Sequence, residues 1–268
     1  MAVGLLMAAC GNNAERERAQ ALLDEATAAV EAGQFDKAIT LTDSLKNSCP
    51  GAIDQRKEAL HVATRAREGL NVIELQRADS TVAVLSARID SLSQFTRFVK
   101  NPIEGYYVGK GADAANFTRT TGLQARLTPN GDFYLISSLH GVAIKSTGVA
   151  VDGVETARIP YDGERNDRSF GSEVITYMGT ECDALGRYIA EHQGQQLILT
   201  FLGDREYRTK LTPAQTREIG DLYRLASDMR ALRVANIEKE RLTRAVDIAR
   251  SQAARTYVEK KHDEAEAE

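Results

Sequence analysis

Tryptophan is absent from this 268-residue chain, proline occurs 5 times and cysteine 3 times, and aromatics make up 6% of residues. Each scarcity excludes something. With 3 cysteines, no CxxC pair and no Cys/His cluster, the sequence offers no metal site. No segment approaches the ~20 consecutive apolar residues that span a bilayer, so any membrane attachment must come from the first ten residues. Basic excess is also missing: 34 Lys and Arg against 38 Asp and Glu leave a net charge of −4, which excludes a nucleic-acid footprint. A hydrophobic content of 43% and a charged content of 27% argue against wholesale disorder. Catalytic motifs are missing too. No GxSxG turn presents a serine nucleophile. Gly109-Lys110-Gly111 lacks the GxxxxGK[ST] frame of a phosphate loop, so no cofactor is expected.

What is present begins at the N-terminus. Met1 to Ala9 is apolar throughout, and Cys10 is followed at once by Gly11, Asn12 and Asn13. Small residues before a cysteine, at the end of a short apolar run, suit signal-peptide processing. Met7-Ala8-Ala9-Cys10 resembles the lipobox of bacterial lipoproteins, with Met7 where leucine is usual. The missing basic stretch suggests a start codon placed too late. The resemblance implies cleavage before Cys10, lipidation of its sulfur and membrane attachment through acyl chains, each buried methylene contributing about 0.8 kcal/mol. Gly11 at the following position implies export to the outer membrane, facing periplasm or cell surface. No helix is expected to continue through Cys10. In such a compartment Cys49 and Cys182 are candidates for a disulfide, and two separate buried thiols are the plainer reading.

From Ala14 to Val99 the apolar spacing is helical. One helix is expected to about Ala32, Gly33 stops it, and a second starts at Asp36 and runs towards Pro50. Ala26, Gly33, Phe35, Ala38 and Pro50 resemble one tetratricopeptide (TPR) repeat. No second copy follows, and such repeats stack in threes or more, so this is read as a single αα-hairpin. A long helix is expected from about Ile53 to Val99, with Val82, Leu85, Ile89, Leu92, Phe95 and Val99 as its stripe and a bend at Gly69. At the other end Thr212 caps a helix that starts on Pro213 and runs to about Lys261. The two long helices are expected to pair antiparallel as a coiled-coil stalk, the alternative being shorter helices in a compact bundle.

Between them, residues 104–211 change to a period of two. Turns at Pro129-Asn130-Gly131, Asp152-Gly153 and Gly203-Asp204 separate short strands. Strands are expected at Tyr106–Val108, Leu123–Leu127, Phe133–Ile136, Val149–Val151, Val154–Ile159, Glu173–Met178, Gln196–Phe201 and Glu206–Lys210, with a short helix at Asp183–Glu191. The fold class is therefore α+β: a helical region over 14–100, a mostly antiparallel sandwich or small barrel over 104–211, a returning helix over 212–262 and a frayed acidic tail over 263–268. The whole is similar in style to Gram-negative envelope lipoproteins, a likeness that supplies no activity.

The longest polar loop of the β-region carries Tyr161, Asp162, Glu164, Arg165, Asp167 and Arg168. It is the candidate for partner contact, although the interleaved arginines suggest internal ion pairing. Ser138 with His140 is the one Ser/His neighbourhood, and a loop histidine after a strand explains it more simply. The expected function is a non-enzymatic, lipid-anchored envelope protein for binding or assembly. Its expected partners are the membrane, another envelope protein, or a second copy through the long helices. The alternative is an envelope hydrolase with its site in the β-region.

Overall fold

The computed structural model describes the backbone of residues 7–101 and 105–267, and the side chains of 13–101 and 105–257. Residues 1–6 and the Cys10 side chain, on which the lipobox expectation rests, lie outside what is described. The fold is α+β, with antiparallel sheets and long helices. It divides into two compact units, one of residues 1–82 with 235–268 and one of residues 83–234.

The helical unit contains α1 (Met7–Glu31), α2 (Phe35–Ser48) and most of α3 (Ile53–Ser93). Helix α1 starts earlier than expected and includes Cys10, correcting the reading of a free segment there. Gly33, at φ +71°, ends α1. The N–H of Gln34 bonds back to the Ala29 carbonyl and that of Gly33 to Val30, the paired contacts of a Schellman cap. The core here is built from small side chains: Ala19, Ala26, Ala29, Ala38, Ala59 and Ala66 are all buried, with Leu45 as its largest fully buried member. Small residues let helix backbones approach closely. Gly69 serves the same end: a β-carbon there would lie 2.3 Å from Cζ of Phe35, whose ring fills the space. The last segment of α5 (Pro213–Ala267) runs antiparallel to α3, Asp79 pairing with Lys239 at 2.7 Å and Glu68 with Arg250 at 3.3 Å. Helix α5 continues to Ala267, beyond the expected end near Lys261.

In the β unit, β1 (Thr96–Val99), β2 (Tyr106–Gly109), β3 (Gly122–Leu127), β4 (Phe133–His140), β7 (Asp167–Ser169) and β8 (Ser172–Met178) form one sheet in the order β1-β2-β3-β4-β8-β7. A second sheet has the order β10-β9-β5-β6, from β5 (Gly148–Val151), β6 (Val154–Glu155), β9 (Leu197–Leu202) and β10 (Tyr207–Leu211). All pairings are antiparallel. Alternation along the strands sends Leu135 and Leu139 of β4, Ile175 and Tyr177 of β8, and Leu199 and Phe201 of β9 into one core. Helix α4 (Asp183–Glu191) and the start of α5 contribute Leu185, Ile189, Leu222 and Leu225 to that core.

Further boundaries differ from expectation, and strand β4 runs on to His140, past the expected end at Ile136. Helix α3 ends at Ser93, so Phe95 and Val99 leave the helical stripe; Thr96 to Val99 pair with β2 instead, and Phe95 stands exposed. Strand β6 stops at Glu155, because the N–H of Ala157 turns away to the Glu181 carbonyl. Strand β7 forms inside the loop read as irregular. The bridge considered between Cys49 and Cys182 is not formed: both thiols are free and buried. Each belongs to the core of a different unit. Burial pushes the Cys182 thiol up to about 11, which makes it inert at neutral pH.

Candidate functional site

Thr212 caps α5 through a reciprocal pair: its hydroxyl accepts the Gln215 N–H, and the Gln215 side chain accepts the Thr212 N–H at 2.8 Å. This cap fixes the helix start and with it the direction of Glu218, one turn further on. Glu218 points at Gly109 and Gly111. A β-carbon on Gly109 would lie 2.7 Å from Glu218 Cγ, and one on Gly111 would lie 2.4 Å from Glu218 Oε1. The two glycines are therefore needed for the carboxylate to approach, and the Gly111 N–H donates to it. What the sequence presents as an incomplete phosphate loop is a seat for an acid.

Beside this contact lies a cavity of about 180 Å³. Its apolar wall is Phe117, Leu123, Ala125, Ile219 and Leu222. Its polar groups are Asp113, Thr120, Thr121, Gln124, Gln215 and Glu218, two acids and no cation. Gln124 is 6% exposed and held by neighbours: its amide donates to the Asp113 carbonyl and its oxygen accepts from Arg126. Burial raises the Glu218 carboxyl above its ordinary value, against the Gly111 N–H and the charge of Arg97, while Asp221 adds to the rise. Asp113 is shifted the other way, held low mainly by Asn116, whose side chain and backbone N–H both donate to it. A half-buried acid that the charge of Arg97 offsets only in part is what a donor-bearing or positively charged ligand group would relieve.

The loop expected to contact a partner is internally tied. Arg165 makes a two-pronged pair with Glu181, at 2.7 and 2.8 Å, and also donates to the Thr176 carbonyl. That pair, followed by the Met178 N–H, holds the Glu181 carboxyl down at about 2. Asp162 accepts the Glu164 N–H, Asp167 and Arg168 enter β7 opposite β8, and the Tyr161 hydroxyl is pushed up mainly by loss of water. The six residues are thus spread between a turn, an ion pair and an edge strand. Phe170, at the tip of the β7–β8 hairpin, is 84% exposed with φ +51°.

His140 does not meet Ser138. Its Nδ1 lies 2.8 Å from Ser172 Oγ, and Ser138 Oγ is buried without a hydrogen-bond partner among the described residues. Ser172 is fully buried, so a substrate carbonyl cannot reach its oxygen. Its neighbour Glu173, also buried, faces inward and accepts N–H groups from Ile144, Lys145 and Ser146 at 2.8 to 3.4 Å. These convergent donors form an anion nest that ties the crossover from β4 to β5. Alternation along β8 places Glu173 in phase with Ile175 and Tyr177, a signal of an inward acid that the sequence does carry. No group of three or more potential metal ligands exists among the described residues. Compared with protein-family models, curated proteins and solved structures, the chain matches none.

Proposed function

We propose that the chain is a lipid-anchored protein of the cell envelope, a non-enzymatic binding or assembly module whose β unit takes a small cationic or hydrogen-bond-donating group. The observation that carries the binding reading is the Glu218 cavity: two acids, two side-chain amides and two hydroxyls around a space of about 180 Å³. Pockets that enclose a drug-sized ligand run to roughly 300–1,000 Å³, so this one suits a single functional group such as an alkylammonium. Support for the anchor comes from Met7-Ala8-Ala9-Cys10 and the polar residues that follow it. Outer-membrane placement, with the body facing periplasm or cell surface, follows from Gly11 in the same reading.

One observation favours the hydrolase reading: Asp113 and Glu218 line one cavity with acidities shifted apart, as an acid and its ionised partner require. Both Asp113 oxygens are occupied by Asn116, at 3.1 and 3.0 Å, and the space is small for a polymer. Binding is the stronger reading. Calorimetric titration with ethanolamine tests it. Saturable binding is expected, weakened roughly tenfold or more in Glu218→Gln. It should also fade as pH falls through the raised Glu218 value, because the protonated carboxyl no longer attracts the ammonium. Equal binding by the variant would remove the cavity from the function, and hydrolysis of a glycoside lost in Asp113→Asn would favour the enzyme. The anchor is tested separately: labelled palmitate is expected on wild-type protein and absent from Cys10→Ser, which would no longer fractionate with membranes.

A further inference from the structure

A second site lies in the helical unit and is independent of the Glu218 cavity, so either can fail alone. Between α2 and α3 runs a groove of about 430 Å³, within the size range of ligand sites. Its floor is apolar, formed by Leu45, Ala59 and Ala63, all buried. Two large apolar side chains stand at its edge with most of their surface in water, Leu60 at 53% and Ile53 at 64% exposed. The rim is one-sided in charge. Lys46, Arg56, Lys57 and Arg67 line it, and Asp43 is the single acid among the lining residues. Arg56 donates to the Pro50 carbonyl at 3.1 Å, a neutral acceptor.

A fold gains nothing by gathering cations around exposed leucine and isoleucine, since like charges repel and the apolar surface stays wet. An acidic partner reverses both penalties. A flat bilayer cannot enter a cleft whose floor lies between two helices, whereas a side chain row from a peptide can. We infer that this groove docks an acidic amphipathic segment of a partner protein, its apolar residues entering between Ile53 and Leu60 and its carboxylates meeting Lys46 and Arg67. Helix-in-groove recognition of this kind uses apolar anchors at helical spacing, with charge setting partner choice.

The test uses purified full chain and a fluorescein-labelled helical peptide with leucines at i, i+3, i+4 and i+7 and glutamates between them. A lysine-for-glutamate version is the control. Fluorescence polarisation is expected to show saturable binding of the glutamate peptide alone, weakening as salt shortens the Debye length from about 8 Å towards 3 Å. Lys46→Glu with Arg67→Glu is expected to weaken it roughly tenfold or more. Both positions are exposed, and an unchanged circular dichroism spectrum would confirm that the fold survives. Leu60→Ser should weaken binding without changing its salt dependence. Four outcomes would overturn the inference: no binding, equal binding of the lysine peptide, tighter binding of a peptide matching this chain's own acidic end (residues 257–268), or capture of phosphatidylglycerol vesicles that both groove variants abolish.

Discussion

The two units solve the problem of a core in opposite ways. The helical unit packs backbones closely over alanines, while the β unit fills its interior with Leu135, Ile175, Tyr177, Leu199 and Phe201. Their concavities differ in the same measure. The β unit holds a small cavity with an apolar wall and two acids, and the helical unit an open groove rimmed by four cations. The charge that lines each opening is of opposite sign in the two units.

The largest expected effect tests the packing contrast. Leu135 is sealed on all sides, so Leu135→Ala should cost about 3–5 kcal/mol in urea denaturation. Leu45 is equally buried but also lines the groove, so its truncation enlarges an existing opening rather than creating a sealed void. Leu45→Ala should therefore cost less, about 2 kcal/mol; equal losses would erase the distinction. Next comes the anion nest. Glu173→Ala leaves the N–H groups of Ile144, Lys145 and Ser146 buried without an acceptor, with an expected cost of about 3 kcal/mol. Thiol reactivity sharpens the comparison without touching stability. In a Cys10→Ser background, Cys49 and Cys182 should ignore a thiol reagent at neutral pH and both react once the chain is unfolded. A mass two hydrogen atoms short before reduction would mean that they are bonded after all. The smallest effect is electrostatic. Glu181 is held at about 2 against an ordinary 4.5, so its pair with Arg165 stabilises the fold above about pH 4.5. That contribution is lost as pH falls towards 2. Glu181→Gln should cost under about 1 kcal/mol at pH 6, because the pair is partly solvated, and nothing near pH 2.

Local order was readable and long-range convergence was not. Pro129-Asn130-Gly131 and Asp152-Gly153 marked their hairpins because a tight turn demands particular residues, and Gly131, Asp152 and Gly153 do adopt positive φ. The bounds of α4 and the Thr212 cap were legible for the same reason. Strand β1 was hidden because Phe95 and Val99 continue a helical spacing by accident, and only pairing with Tyr106 and Thr96's partner Gly109 makes it a strand. The Glu218 cavity was hidden more deeply. Its carboxylate and its two glycines are over a hundred positions apart in the chain, and no short-range pattern requires them to meet. The polar loop shows the reverse: its interleaved charges predict ion pairing for Arg165, and the partner, Glu181, lies outside the loop.

The most direct test is a heteronuclear NMR titration of the full chain with ethanolamine, followed residue by residue. Saturable shifts confined to Gly109, Gly111, Gln124, Gln215 and the turn around Glu218 are the predicted result. Shifts scattered over both units, or concentrated along the α2–α3 groove between Thr42 and Arg67, would contradict the assignment of the cationic ligand to the β unit.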